Sequence, residues 1–354
     1  MSRKRTMTAA LRRRSRLTMA GWVTTLGLSA ALPAAAETGP RNSIAQVDAA
    51  LPAESGFSMD MRLGDVIEHP DFQGFGEHLL PRPNRLSDAE VSLDRIGELL
   101  PYHSNLRPEE LVHALDRLAG DLRAGEQVFY SIYTPDEIAA DPAKAATGIF
   151  LLRGEPGASF AITAPGGGFS YVGTVHEGLP YATAISAAGL NAFVVRYRVG
   201  LGQQAATEDM ARAISFIFEH ADELGVSPSN YSVWGSSAGA RMAALIGTHG
   251  PLAFGGDDLP KPSAVIMAYT SHADIGQSEP PTFVIVGERD GIAPPSNMER
   301  RVALLRGMDT PVEFRIVPGV GHGFGTGLGT AAEGWINDAV TFWQAHASQA
   351  QTEN

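Results

Sequence analysis

The 354-residue chain contains no cysteine. Disulfide frameworks, thiolate metal sites and cysteine nucleophiles are therefore excluded. Positive charge is scarce beyond the first segment. Seven of the 27 Lys and Arg residues lie in residues 1–36, which hold no acid, so residues 37–354 carry 20 basic against 39 acidic residues, a net −19. A body that acidic repels phosphate backbones, has no basic run to offset this, and is not expected to bind nucleic acid. Past residue 36 no apolar run is long enough to span a bilayer. What remains is a globular composition, 44% hydrophobic and 19% charged, long enough for one large α/β domain or two small ones.

The basic cluster Arg3–Arg16 leads into an apolar run, Leu17–Leu32, and then Pro33-Ala34-Ala35-Ala36. Basic head, apolar middle and small-residue end describe a secretory signal peptide with cleavage after Ala36, and hence a periplasmic or secreted protein. An uncleaved anchor is the competing reading. Arg13-Arg14 is compatible with twin-arginine export, although the rest of that pattern is poor. Residues 37–60 are small and polar and read as a linker. Residues 61–125 read as an N-terminal extension that serves as a lid, a packing extension of a sheet or a partner surface. Short turns are expected over 61–104. A helix is expected from Pro108, with Glu109 and Glu110 in its first turn and Leu111, Leu115, Leu118 and Leu122 on one stripe ending near Gly125.

From residue 126 to 347 strands and helices alternate, followed by a tail over 348–354. The expected strands are Val128–Tyr133, Gly148–Leu152, Phe160–Ala164, Ala192–Tyr197, Tyr231–Trp234, Ala264–Ala268, Thr282–Val286 and Val312–Val317. Helices are expected over Glu208–Leu224, with Gly225 as its stop, and over 239–248, 296–307 and 333–346. Continuous apolar strands such as Phe283–Val286 imply a sheet covered on both faces. The fold class is α/β, a mostly parallel doubly wound sheet with its site at the carboxyl ends of the strands.

Gly235-Ser236-Ser237-Ala238-Gly239 is a Gly-x-Ser-x-Gly pattern between an apolar strand and a small-residue helix. A sharp strand-to-helix turn exposes the hydroxyl of Ser237, making it the candidate nucleophile, and Ser236 falls at the variable position. Pro165-Gly166-Gly167-Gly168-Phe169 ends another strand. Its glycines let backbone N–H groups face a pocket, so Gly167, Gly168 and Ala238 are the expected oxyanion-hole donors. No Lys-Ser/Thr follows, which excludes a P-loop. Acid and base should follow the serine, each just past a strand. Asp290 fits the acid, with Glu288 as the alternative, and His322 in Gly321-His322-Gly323-Phe324 fits the base. Phe169, His176 and Phe324 are candidate substrate-binding residues. Glu177 shares with His176 a second reading, as a cap on the following helix. His272 and Asp274 are spaced as metal ligands, but a third is missing, so no metal or cofactor is expected.

With these residues in view, the chain resembles serine-dependent α/β-hydrolases, of the branch with small bacterial acetyl esterases and feruloyl-esterase-like (BD-FAE-like) carbohydrate esterases. Pro165–Phe169 with His176-Glu177-Gly178, Gly235–Gly239 followed by Ala240-Arg241-Met242-Ala243-Ala244, Asp290, and Gly321–Phe324 carry the resemblance over about 125–345. One departure is Pro165, where many lipase-like relatives have histidine. The resemblance implies an α/β-hydrolase fold and hydrolysis of short-acyl carboxylic esters, acetyl or related, on a small molecule or carbohydrate. An amide or peptide hydrolase on the same triad, and a non-catalytic binding protein on this fold, are the alternatives. The acidic body favours neutral or cationic substrates.

Overall fold

The computed structural model describes residues 56–83 and 85–352. The leader over 1–36 and residues 37–55 of the linker lie outside the described residues. Among the described residues, eight strands form one sheet in the order β1-β2-β4-β3-β5-β6-β7-β8. They are β1 Phe129–Tyr130, β2 Gly148–Leu152, β3 Ser159–Ala164, β4 Asn191–Arg196, β5 Ser227–Ser236, β6 Ala264–Ala268, β7 Thr282–Gly287 and β8 Val312–Val317. β4 to β8 run parallel, while β1 and β2 complete one edge antiparallel. The chain leaves β3 to one side for β4 and returns to the other side for β5. This reversal opens a crevice at their carboxyl ends, the place where ligands bind in open α/β sheets.

The helices are α1 Leu63–Ile67, α2 Pro108–Arg123, α3 Pro135–Ala140, α4 Leu179–Ala187, α5 Gly202–Glu219, α6 Ala221–Leu224, α7 Ala238–His249, α8 Pro295–Arg306 and α9 Trp335–Thr352. Two hydrophobic clusters cover the two faces of the sheet. One takes Phe150, Leu152 and Val194 with α2, α4 and α9; the other takes Ile149, Leu151 and Val195 with α5, α7 and α8. Side chains alternate across a strand, so neighbours in β2 serve opposite clusters and its run reads as unbroken apolar sequence. Among the described residues no helix is long and apolar enough to cross a membrane.

Several expectations shift, each for a local reason. β1 is two residues rather than Val128–Tyr133, because Ile132 and Tyr133 turn into the second cluster instead of continuing the ladder. β5 outgrows Tyr231–Trp234 because Gly235 and Ser236 pair with Ala164 and Ala268, a parallel register that glycine and serine do not advertise. The expected helix Glu208–Leu224 starts at Gly202, breaks at His220 (φ −109°) and resumes as α6, with Gly225 capping it at φ +69°. α9 continues to Thr352, through most of the expected tail.

Residues 61–104 form the expected short turns, including 3-10 turns at Pro70–Phe72, Gly76–Leu79, Leu86–Glu90 and Leu93–Leu99. Phe57, Leu63, Phe72, Leu93 and the α2 stripe lie in the same cluster as β2, β4 and α9, so this segment extends the core of the sheet. Its apolar residues pack on each other, as in the Phe57–Phe72 ring stack, and on the sheet. Leu115 is 1% exposed. Leu115→Ala is expected to cost about 2–5 kcal/mol, the range for truncating a buried leucine. Urea denaturation followed by tryptophan fluorescence measures it, and a loss below about 0.5 kcal/mol, the level of surface substitutions, would place α2 outside the cooperative core.

Candidate active site

Ser237 sits between the end of β5 and the start of α7 with φ +49° and ψ −113°, a strained conformation for a residue with a side chain. The flanking glycines permit the turn. A Cβ on Gly235 would lie 2.3 Å from the Gly239 backbone, and one on Gly239 would lie 1.9 Å from the Ala164 carbonyl oxygen. β3, β5 and α7 therefore approach more closely than any larger residue allows. The Ser237 N–H donates to the Ala268 carbonyl at 2.9 Å, tying the turn to β6.

Two loops bring the partners. Asp290 follows β7 and His322 follows β8. His322 Nε2 lies 2.8 Å from Ser237 Oγ, and His322 Nδ1 lies 2.7 Å from Asp290 Oδ2. The other Asp290 oxygen accepts from the N–H groups of Ile292 at 2.9 Å and Ala293 at 2.6 Å, which fixes the carboxylate plane. Glu288, the alternative acid, is exposed and accepts instead from the Gly319 N–H at 2.9 Å. Ser236 is fully buried and does not compete for the crevice.

Ser237 opens into a pocket of about 200 Å³ whose wall includes Gly168, Phe169, Ala238, Arg241, Tyr269 and Thr270. Gly168 and Ala238, two of the three expected donors, reach this wall. Gly167 is buried and is not among the residues of this wall. Of the expected substrate-binding residues only Phe169 lines the pocket. His176 is buried, with Nε2 donating to the Gly323 carbonyl at 3.1 Å, and Phe324 is fully buried with its ring 4.6 Å from that of Tyr269. Both support the histidine loop from behind. Arg241 and Tyr269 escaped the sequence reading as pocket residues. Tyr269 follows an apolar strand directly, the one signal that could have marked it.

Behind the glycine loop lies a buried polar network that composition did not betray. Glu177 is fully buried. Its Oε2 accepts from the Gly166 N–H at 2.5 Å, and its Oε1 accepts from the Tyr269 hydroxyl at 2.7 Å and lies 2.9 Å from His103 Nε2. His103 Nδ1 lies 2.8 Å from the Tyr171 hydroxyl, and the next residue, Ser104, donates its hydroxyl to the His322 carbonyl at 2.6 Å. The N-terminal extension thus holds both the glycine loop and the histidine loop. Burial works against ionisation of Glu177, but the charge of His103 outweighs it and holds the carboxyl below its ordinary range. Burial, reinforced by the same His103 charge, pushes His176 down to about 4. At neutral pH His176 is therefore an uncharged donor.

Removing His103 strands a carboxylate away from water. His103→Leu is expected to lose about 3–5 kcal/mol at pH 7 by urea denaturation, and a loss under about 1 kcal/mol would mean that His103 does not compensate Glu177. Because the folded-state pKa of Glu177 is depressed, its contribution is complete above the unfolded value near 4.5 and is lost as the pH falls below it. Glu177→Gln should accordingly flatten part of the acid limb of stability against pH, with an unchanged limb as the contrary result.

Residues 161–254 match the BD-FAE family, and residues 258–350 match the prolyl oligopeptidase family. An acetylxylan esterase from Xylanibacter ruminicola is 24% identical over 218 residues, 53% of this chain and 45% of that protein. The chain thus spans less than half the length of this curated relative. Among solved structures, an acetyl ester-xyloside bifunctional hydrolase from Caldicellulosiruptor lactoaceticus superposes with a TM-score of 0.52 at 22% identity, over 61% of this chain and 95% of the other. Esterase B from Lactobacillus rhamnosis gives 0.53 at 13% identity, over 64% and 87%. At these identities the structural likeness speaks to the fold. With the sheet order, it gives the chain an α/β-hydrolase fold, and the two family matches, each over less than half of the chain, make it similar to BD-FAE-like and prolyl oligopeptidase-like hydrolases.

Proposed function

We propose that the chain is an exported serine esterase that cleaves short-acyl carboxylic esters, acetyl esters foremost, on a small-molecule or carbohydrate alcohol. The observation that carries this reading is the unbroken line of hydrogen bonds from Ser237 through His322 to Asp290, facing a pocket walled by Gly168 and Ala238. Ser237 Oγ attacks the ester carbonyl while His322 Nε2 takes its proton, and the proton then passes to the departing alkoxide. Asp290 holds the Nδ1–H tautomer and stabilises the imidazolium. The N–H groups of Ala238, at the first turn of α7, and of Gly168 are the donors for the developing oxyanion. Water activated by His322 then clears the acyl-enzyme. A pocket of about 200 Å³ favours a small acyl group. The kinship with an acetylxylan esterase supports acetyl, and export is read from residues 1–36 alone.

The match of residues 258–350 to the prolyl oligopeptidase family favours one second reading, an amide or peptide bond as the target. An amine leaves less readily than an alkoxide and demands fuller protonation by His322.

Ser237→Ala is expected to lower turnover of 4-nitrophenyl acetate by about 10⁴-fold or more, and Asp290→Asn by about 10⁴-fold. Rates should fall steeply from acetyl to octanoyl esters. A rising series would overturn the short-acyl assignment, and faster cleavage of nitroanilides than of matched esters would favour the amide reading. A folded protein left unlabelled by a fluorophosphonate would sink both and leave a binding protein on a hydrolase fold.

A further inference from the structure

Arg196 is the last residue of β4 and continues the strand face that carries Ala192 and Val194 into the first hydrophobic cluster. Its side chain is consequently buried, with 1% of the residue exposed. The guanidinium has one weak partner, the Pro81 carbonyl 3.4 Å from Nη1, and its Nε has none. The other buried arginines differ. Arg198 pairs with Asp209, Asp141 and Glu208, and Arg301 pairs with Glu279. Among the described residues no carboxylate forms an ion pair with Arg196. A buried charge without a counter-charge is costly, and water can fill its hydrogen-bonding positions without neutralising it.

Arg196 borders a cavity of about 300 Å³, whose wall also includes Glu77, His78, Arg198 and the turn Pro142–Ala146. Among the described residues, none lines both this cavity and the Ser237 pocket. His78 is stacked 4.3 Å from the Phe129 ring, and burial, together with the charge of Arg196, pushes it down to about 4, so it is neutral at pH 7. Glu77, the one carboxylate among the described residues of the wall, is exposed.

We propose that this cavity is a binding site for a small oxyanion, the carboxylate or phosphate group of a small molecule, with Arg196 as the cation that recognises it. The planar guanidinium fork matches both groups, and the volume falls at the lower end of small-molecule sites. The ligand supplies the counter-charge that no described residue supplies.

The test is thermal unfolding of the full chain in chloride, acetate and phosphate buffers at fixed ionic strength and pH, for wild type, Arg196→Met and Ala145→Glu. The first variant removes the charge with little change in volume. The second, at an exposed wall position, brings a carboxylate to the cavity without touching the core, and keeps the test alive if the methionine variant fails to fold. The wild type is expected to show a saturable rise of at least about 2 °C with one of the two oxyanions. A rise with acetate alone assigns a carboxylate ligand, and a rise with phosphate alone a phosphate. Both variants should lose the response. No saturable response in the wild type, or an equal one in the variants, would overturn the proposal.

Discussion

A carboxylate with no access to water must find its counter-charge and donors inside the protein, and Glu177 finds them on three other segments. The Gly166 N–H comes from the glycine loop, the Tyr269 hydroxyl from the end of β6, His103 from the N-terminal extension, and Glu177 itself from the turn before α4. None of these groups can be moved alone. In a medium of low dielectric each contact is strong, and each loss leaves an unpaired polar group. The loop that presents Gly168 to the pocket is therefore held from behind by electrostatics rather than by its own sequence, which three glycines leave conformationally open.

The same device explains why the extension over 56–125 belongs to the site. Its apolar residues complete one face of the sheet, while its polar residues at 102–105 reach the two loops that flank Ser237. Tyr102 donates its N–H to the Tyr171 hydroxyl, Ser104 grips the His322 carbonyl, and Asn105 Nδ2 donates to the Leu328 carbonyl at 3.2 Å. Tyr269 joins the two systems: its hydroxyl serves Glu177 while its ring stands 5.2 Å from that of His322. Core packing and site geometry are thus one problem in this protein, solved by one segment.

Among the described residues, buried charge is handled consistently except at one place. Asp209 meets Arg198, Glu279 meets Arg301 and Glu177 meets His103, each pair formed between residues distant in the chain. Arg196 alone among these breaks the pattern, and it does so beside an open cavity rather than in closed packing. Arg196 therefore has room for a counter-charge from outside the chain.

The sequence by itself determined the sheet and the order of the candidate site residues along it. Apolar runs marked five of the eight strands to within a residue, because a strand covered on both faces has few polar positions to hide it, while β8 alternates, with Glu313 and Arg315 between Val312, Phe314 and Ile316. Gly235–Gly239, Asp290 and His322 were legible because close backbone approach admits only glycine, and because each loop follows a strand that could be seen. Tertiary structure alone decided what stands behind those loops. His103 lies in a segment without period, and nothing local distinguishes it from a solvated histidine. His176 and Phe324, read as pocket residues, turned inward because the histidine loop packs on the turn before α4, a contact between residues 147 positions apart. Periodicity reports which side of an element is apolar. Compensation of a buried charge depends on which distant element comes to lie beside it, and only the folded chain decides that.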